Sequence, residues 1–117
     1  MKKDVPYLKH IIDAISKIEG YTADLEREKF LKDARTQDAV VRNLEIIGEA
    51  TKRLSNETRQ RYPEIPWAEV AGTRDRLIHA YFDVDLDEVW TTVHRDIPRL
   101  RRTVKKAIAE LSASQGQ

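Results

Sequence analysis

Apolar residues recur at spacings of three and four along most of the chain, the period of helices that bury one face. Leu8, Ile11, Ile12, Ile15 and Ile18 predict a first helix. Asp4 stands where an N-cap would, and Pro6 falls in the first turn, where a missing N–H costs nothing. Gly20 predicts its stop. The stretch from Ala23 to Asp33, with Leu25, Phe30 and Leu31, reads as a short second helix or a helical connector. A third helix is predicted from about Thr36 to Leu54. Ala39, Val40, Leu44, Ile46, Ile47, Ala50 and Leu54 cover an arc wider than one neighbour needs, which places this helix centrally or against a second subunit. Asn43, in the middle of that arc, reads first as a core amide satisfied by a backbone carbonyl and second as a functional group.

Beyond it, Ser55 can cap a short turn through Arg61, and Pro63 and Pro66 then break the chain. Pro66 opens a fourth helix whose pattern carries on through Tyr81. Asp85 followed by Glu88 resembles a capping box for the last helix. Val89, Val93, Ile97, Leu100, Val104, Ile108 and Leu111 form its stripe, Pro98 predicts a kink near 94–98, and the polar tail from Ser112 to Gln117 is expected to fray. No strand alternation or repeat is visible. The pattern predicts an all-α antiparallel bundle of four to five helices, one domain spanning residues 1–117.

Charge narrows the function more than the fold. Lys and Arg number 21 against 20 Asp and Glu, a net charge of +1, so any nucleic-acid contact must be local rather than a bulk attraction. The absence of cysteine removes disulfide, thiolate and cysteine–metal chemistry. No apolar run has membrane-spanning length, and Met1-Lys2-Lys3-Asp4 is not followed by an export-type apolar region, so a cytoplasmic location is expected.

Candidate chemistry concentrates in Arg74-Asp75-Arg76-Leu77-Ile78-His79-Ala80-Tyr81, which holds one of the three histidines. On a continuous helix Arg74 and Tyr81 share the face of Trp67, Val70, Ala71, Leu77 and Ile78. His79 is displaced from Arg74 by about 140°. Arg74 would then need a carboxylate, a cleft edge or an anionic ligand. Asp75, one helical turn before His79, would sit beside the imidazole, and Gly72 would clear space there for a close approach or for helix packing. The plain alternative is an Arg-x4-His spacing arising by chance with an ordinary surface Asp–His pair. His10 and His94 read as structural or solvated. Neither metal-ligand spacing such as HExxH, nor a phosphate loop, nor a serine-nucleophile motif is present, so no metal or cofactor is expected.

The chain resembles the HepT-like family of HEPN-domain proteins over nearly its whole length. The residues that carry the resemblance are Thr36-Gln37-Asp38-Ala39-Val40 and Arg42-Asn43-Leu44-Glu45-Ile46-Ile47-Gly48-Glu49-Ala50. They continue through Tyr62-Pro63-Glu64-Ile65-Pro66-Trp67, the Arg-x4-His-x-Tyr set at Arg74, His79 and Tyr81, and Val84-Asp85-Leu86 with Val89-Trp90. The resemblance implies the toxin half of a toxin–antitoxin module: a metal-independent ribonuclease, homodimeric, with its motifs lining a cleft between subunits. It implies His79 as general base on an RNA 2′-hydroxyl and Arg74 as the phosphate-holding cation. It further implies an MntA-type nucleotidyltransferase antitoxin that transfers AMP to Tyr81. The family most often has asparagine where this chain has Asp75, and a carboxylate there would repel RNA phosphate. A different class of function is a non-catalytic helical partner of the nucleotidyltransferase, with the motif as a modification or nucleotide-binding surface.

Overall fold

The computed structural model describes residues 1–80 and 83–113. Tyr81 lies outside the described residues, as do Phe82 and the tail residues 114–117. A single 3-10 turn (Lys2–Asp4) leads into α1 (Val5–Thr22), followed by α2 (Arg27–Phe30), α3 (Ala34–Lys52), α4 (Asn56–Arg61), α5 (Trp67–Ala71) and α6 (Thr73–Leu77). A two-stranded ribbon, β1 (Ile78–Ala80) with β2 (Asp83–Val84), then leads to α7 (Leu86–Ala113). The fold is an all-α antiparallel bundle with one small ribbon.

Contacts at the two ends set the directions of the long elements. Asp4, at the start of α1, bonds Ser55 just past the end of α3, and Tyr62 bonds Glu110 near the end of α7. At the other end Arg27, just past α1, pairs with Asp87 in the first turn of α7. α1 therefore runs opposite to α3 and α7, and the segment from α4 to β2 carries the chain back along α3. The 28 residues of α7 span about 42 Å at helical rise, most of the 50 Å long axis.

The predicted stripes fill the core. Leu8, Ile11, Ile15 and Ile18 of α1 are buried, with Val40 and Ile47 of α3 and Val89, Ile97 and Val104 of α7. α3 packs on α1, α2, α5 and α6, which explains its broad apolar arc from within one chain. Asn43 is buried and donates from Nδ2 to the Ala39 carbonyl at 2.9 Å, the core-amide arrangement.

Several boundaries differ from the expectation. α1 passes through Gly20, whose missing side chain faces open space, and ends at Thr22. The predicted second helix is reduced to the four residues of α2. α3 starts earlier, because the Asp33 carboxylate caps it by accepting from the Thr36 amide at 3.0 Å and the Thr36 hydroxyl at 2.7 Å. Asp4 occupies the N-cap position of α1 without capping it. Its buried carboxylate accepts instead from the Ser55 amide at 3.1 Å, the Ser55 hydroxyl at 2.6 Å and the Thr58 hydroxyl at 2.5 Å. The Ser55 and Asp85 caps form as expected, on the Thr58 amide at 3.3 Å and the Glu88 amide at 3.1 Å. Pro98 lies inside α7, as read, while Ser112 and Ala113 of the expected frayed tail are still helical.

The largest correction concerns the fourth helix, which is not continuous through Tyr81. It is interrupted at Gly72 (φ −91°, ψ 9°), resumes for five residues, and ends at Leu77, where Ile78 turns extended (φ −113°, ψ 103°). Glycine and β-branched Thr73 and Ile78 weaken helix here, and the Leu77 carbonyl accepts from the Asp85 amide at 2.9 Å instead of continuing the ladder. Gly72 opens no space beside His79: a Cβ there would meet the Ala68 carbonyl oxygen of its own preceding turn at 3.4 Å. The glycine that permits close packing is Gly48. A Cβ there would stand 3.3 Å from the Ala71 carbonyl oxygen and 3.5 Å from that of Val70, so its absence lets α5 lie directly on α3.

Candidate active site

Arg74 is carried on α6, which is anchored by buried Thr73 and Leu77. It does not lie in the packed face. Its side chain is 57% exposed and reaches back to α3, where Nε stands 3.6 Å from Oε2 of Glu45, a carboxylate with only 29% exposure. Exposed as it is, Arg74 does not need the partner that a buried guanidinium would, and it meets Glu45 at the edge of a groove. The guanidinium is thus held loosely beside one carboxylate and stays largely open to solvent, where it can meet a phosphate.

His79 is exposed on β1. The strand pairs antiparallel with β2, Ile78 opposite Val84 and Ala80 opposite Asp83, with an irregularity between the two pairs. Since the helix ends at Leu77, the 140° separation expected on a wheel does not apply. Neither does the one-turn pairing of Asp75 with His79: Asp75 is exposed on α6 and His79 lies past the extended Ile78. Within one chain the structure brings Arg74 together with Glu45, and no hydrogen bond or ion pair joins Arg74, Asp75 and His79 to one another among the described residues.

An open groove of about 570 Å³ starts beside Arg74 and runs between α1 and α3, lined by Tyr7 and His10 from one and by Arg42, Glu45 and Arg53 from the other. His10 is exposed and stands edge-on to the Tyr7 ring, centroids 6.2 Å apart. A more enclosed cavity of about 280 Å³ lies elsewhere, between α3, α5, α6 and α7. Leu44, Ile47, Ile97 and Leu100 line it, and neither Arg74 nor His79 reaches it. His94 is accounted for structurally: Nδ1 is 2.9 Å from the Trp90 carbonyl oxygen and its ring lies 4.0 Å from that indole. Among the described residues no group of three or more His, Asp or Glu could hold a metal ion, and no helix is long and apolar enough to cross a membrane.

Glu45 and the α1 side of the groove were not legible as site components. Glu45 is separated from Arg74 by 29 positions, and a carboxylate on a helix carrying other charges gives no signal until α6 is laid against α3.

The chain belongs to the HepT-like ribonuclease family: the family model described as "Ribonuclease HepT-like" matches residues 11–107. Among similar proteins, one of Thermococcus cleftensis named "Probable ribonuclease HepT" is 51% identical over 100 residues, covering 86% of this chain and 91% of that protein. A protein of Caldanaerobacter subterraneus named a "putative RNase" is 42% identical, covering 92% and 96%. A Methanocaldococcus jannaschii protein named "Gamma-glutamylcyclotransferase and putative RNase" is 47% identical over 98% of this chain. The chain spans only 52% of that protein's length. No solved structure matches significantly.

Proposed function

We propose that the protein is a metal-independent endoribonuclease and the toxin of a toxin–antitoxin pair, with Arg74 and His79 as catalytic residues. Family membership from residue 11 to 107 carries the reading. The site supports it, since Arg74 and His79 are both accessible. In the reaction His79 takes the proton of an RNA 2′-hydroxyl. The 2′-oxygen bonds to the adjacent phosphorus, the bond from phosphorus to the 5′-oxygen breaks, and that oxygen takes a proton from solvent. The products are a 2′,3′-cyclic phosphate and a 5′-hydroxyl. Arg74 holds the phosphate and stabilises the charge that builds on its non-bridging oxygens.

The site is completed in a homodimer, in which a two-fold axis brings the Arg74 and His79 of two chains to one cleft. The absence of a direct Arg74–His79 contact within the described chain favours that arrangement. An MntA-type nucleotidyltransferase antitoxin silences the enzyme by transferring AMP to Tyr81, two positions past His79, where an added phosphate would repel RNA. Asp75, exposed beside Arg74, lowers the local positive potential and sets a weaker hold on RNA than asparagine would.

The test is cleavage of single-stranded RNA by purified protein. Arg74→Ala and His79→Ala are expected to lose at least a hundredfold in rate while keeping the parent's circular dichroism and melting temperature. If both variants cleave as fast as the parent, the catalytic assignment is wrong.

A further inference from the structure

The groove between α1 and α3 has charge that the structure leaves uncompensated. Glu45 is engaged by Arg74, and Glu49 pairs with Lys52 at 3.2 Å. Arg42 and Arg53, both exposed, have no carboxylate partner among the described residues. At the α1 wall Tyr7 is half-buried and packed on the core, so its ring is held in place, while His10 stands edge-on against it in solvent. Exposed cations on one wall and a core-packed aromatic on the other, in an open trough ending at the exposed Arg74, suit a flexible chain of phosphates and bases. They do not suit a duplex, because the wall is one aromatic side chain and not a broad basic face.

We propose that this groove is the binding trough for single-stranded RNA on one side of the scissile phosphate, with Arg42 and Arg53 contacting phosphates and Tyr7 stacking on a base. The assignment rests on the ribonuclease reading above and adds residues that the Arg74–His79 motif does not contain. It also explains how a protein with a net charge of +1 can hold RNA: attraction is concentrated in a few positions rather than spread over the surface. The strand's register in the trough would fix which phosphate Arg74 receives.

The experiment measures both RNA cleavage and the anisotropy of a fluorescent 12-nucleotide single-stranded RNA bound to the His79→Ala protein. The double variant Arg42→Ala/Arg53→Ala is expected to bind at least tenfold more weakly. Its log–log salt slope should be shallower by about 0.7 for each phosphate that is no longer neutralised. In the parent background it should raise KM with little change in kcat. Tyr7→Leu, which keeps an apolar side chain against the core, should weaken binding about fivefold without altering the salt slope. Arg102→Ala, an exposed α7 position outside the groove, serves as the control. Unchanged binding and KM in the groove variants while the parent cleaves RNA would overturn the trough and leave the ribonuclease reading standing. Equal losses in the control would also overturn it. A parent protein that neither cleaves nor binds RNA would overturn both.

Discussion

Glu45 Oε2 and Arg74 Nε stand 3.6 Å apart, an ion pair that joins α3 to α6 at the mouth of the groove. An ion pair this exposed contributes little to stability, in the range of about 0–1 kcal/mol. Its consequence is orientation: the carboxylate keeps the arginine at the mouth of the groove. Glu45→Gln should retain an acceptor and lose only a few-fold in kcat, whereas Glu45→Ala should lose about tenfold, with KM changing less than kcat in each. Melting temperatures should stay within a few degrees of the parent. Steady-state cleavage kinetics with thermal melts check this, and equal kinetics in parent and Glu45→Ala would remove Glu45 from the site.

Gly48 supports the same geometry from beneath. Alanine there gains about 1 kcal/mol of helix propensity and loses part of it to the Ala71 carbonyl at 3.3 Å, so Gly48→Ala should change stability little. Gly48→Val cannot be absorbed so cheaply. It should cost about 2 kcal/mol and push α5 and α6 away from α3, separating Arg74 from Glu45. Urea denaturation and cleavage assays on both variants test this, the valine variant losing activity while still folded.

Much of the fold was legible because helical period survives in the long elements. The stripes of α1, α3 and α7 appear as read, Asn43 sits as the predicted core amide, and the caps at Ser55 and Asp85 form. The failures share a cause. A wheel assumes one uninterrupted helix, and the stretch from Gly72 to His79 is a short helix followed by a strand whose identity depends on pairing Ile78 with Val84. Asp4 misled for a related reason: its local capping role competes with partners 51 and 54 residues away, and the distant ones win. At the candidate site the motif residues Arg74 and His79 were visible in the sequence. The carboxylate that orients the arginine was not, because that contact is purely tertiary.

Asp4 also predicts an acid response. Burial pushes its carboxyl pKa up, but hydrogen bonds from the Ser55 hydroxyl and amide and from Thr58 outweigh this, and the folded value lies below the ordinary 3.8. A depressed folded pKa gives stability that is present above about pH 4 and is lost as pH falls through the folded value. Asp4→Ala should cost about 3 kcal/mol at neutral pH by stranding buried donors. Asp4→Asn should flatten stability against pH below 4. A parent and asparagine variant with the same acid profile would contradict the assignment.

Tyr62 predicts the opposite limb. Its buried hydroxyl donates to Glu110 Oε1 at 2.6 Å, and burial together with that bond raises its pKa to about 12. A raised folded pKa in an acid that ionises near 10 gives stability that is complete below pH 10 and is lost between about pH 10 and 12. Tyr62→Phe should be less stable than the parent at pH 7 by about 1 kcal/mol and should lose less over that alkaline window. Chemical denaturation at pH 8 and at pH 11 gives the comparison.

On the ribonuclease reading Arg74 and His79 catalyse RNA cleavage by 2′-hydroxyl attack without a metal. End-group analysis of RNA cut by the purified protein in the presence of a chelator tests it most directly. The expected fragments end in 2′,3′-cyclic phosphate and begin with 5′-hydroxyl, formed undiminished in chelator and absent with His79→Ala. Fragments carrying 5′-phosphate and 3′-hydroxyl ends, or cleavage that stops when divalent metal is removed, would contradict it.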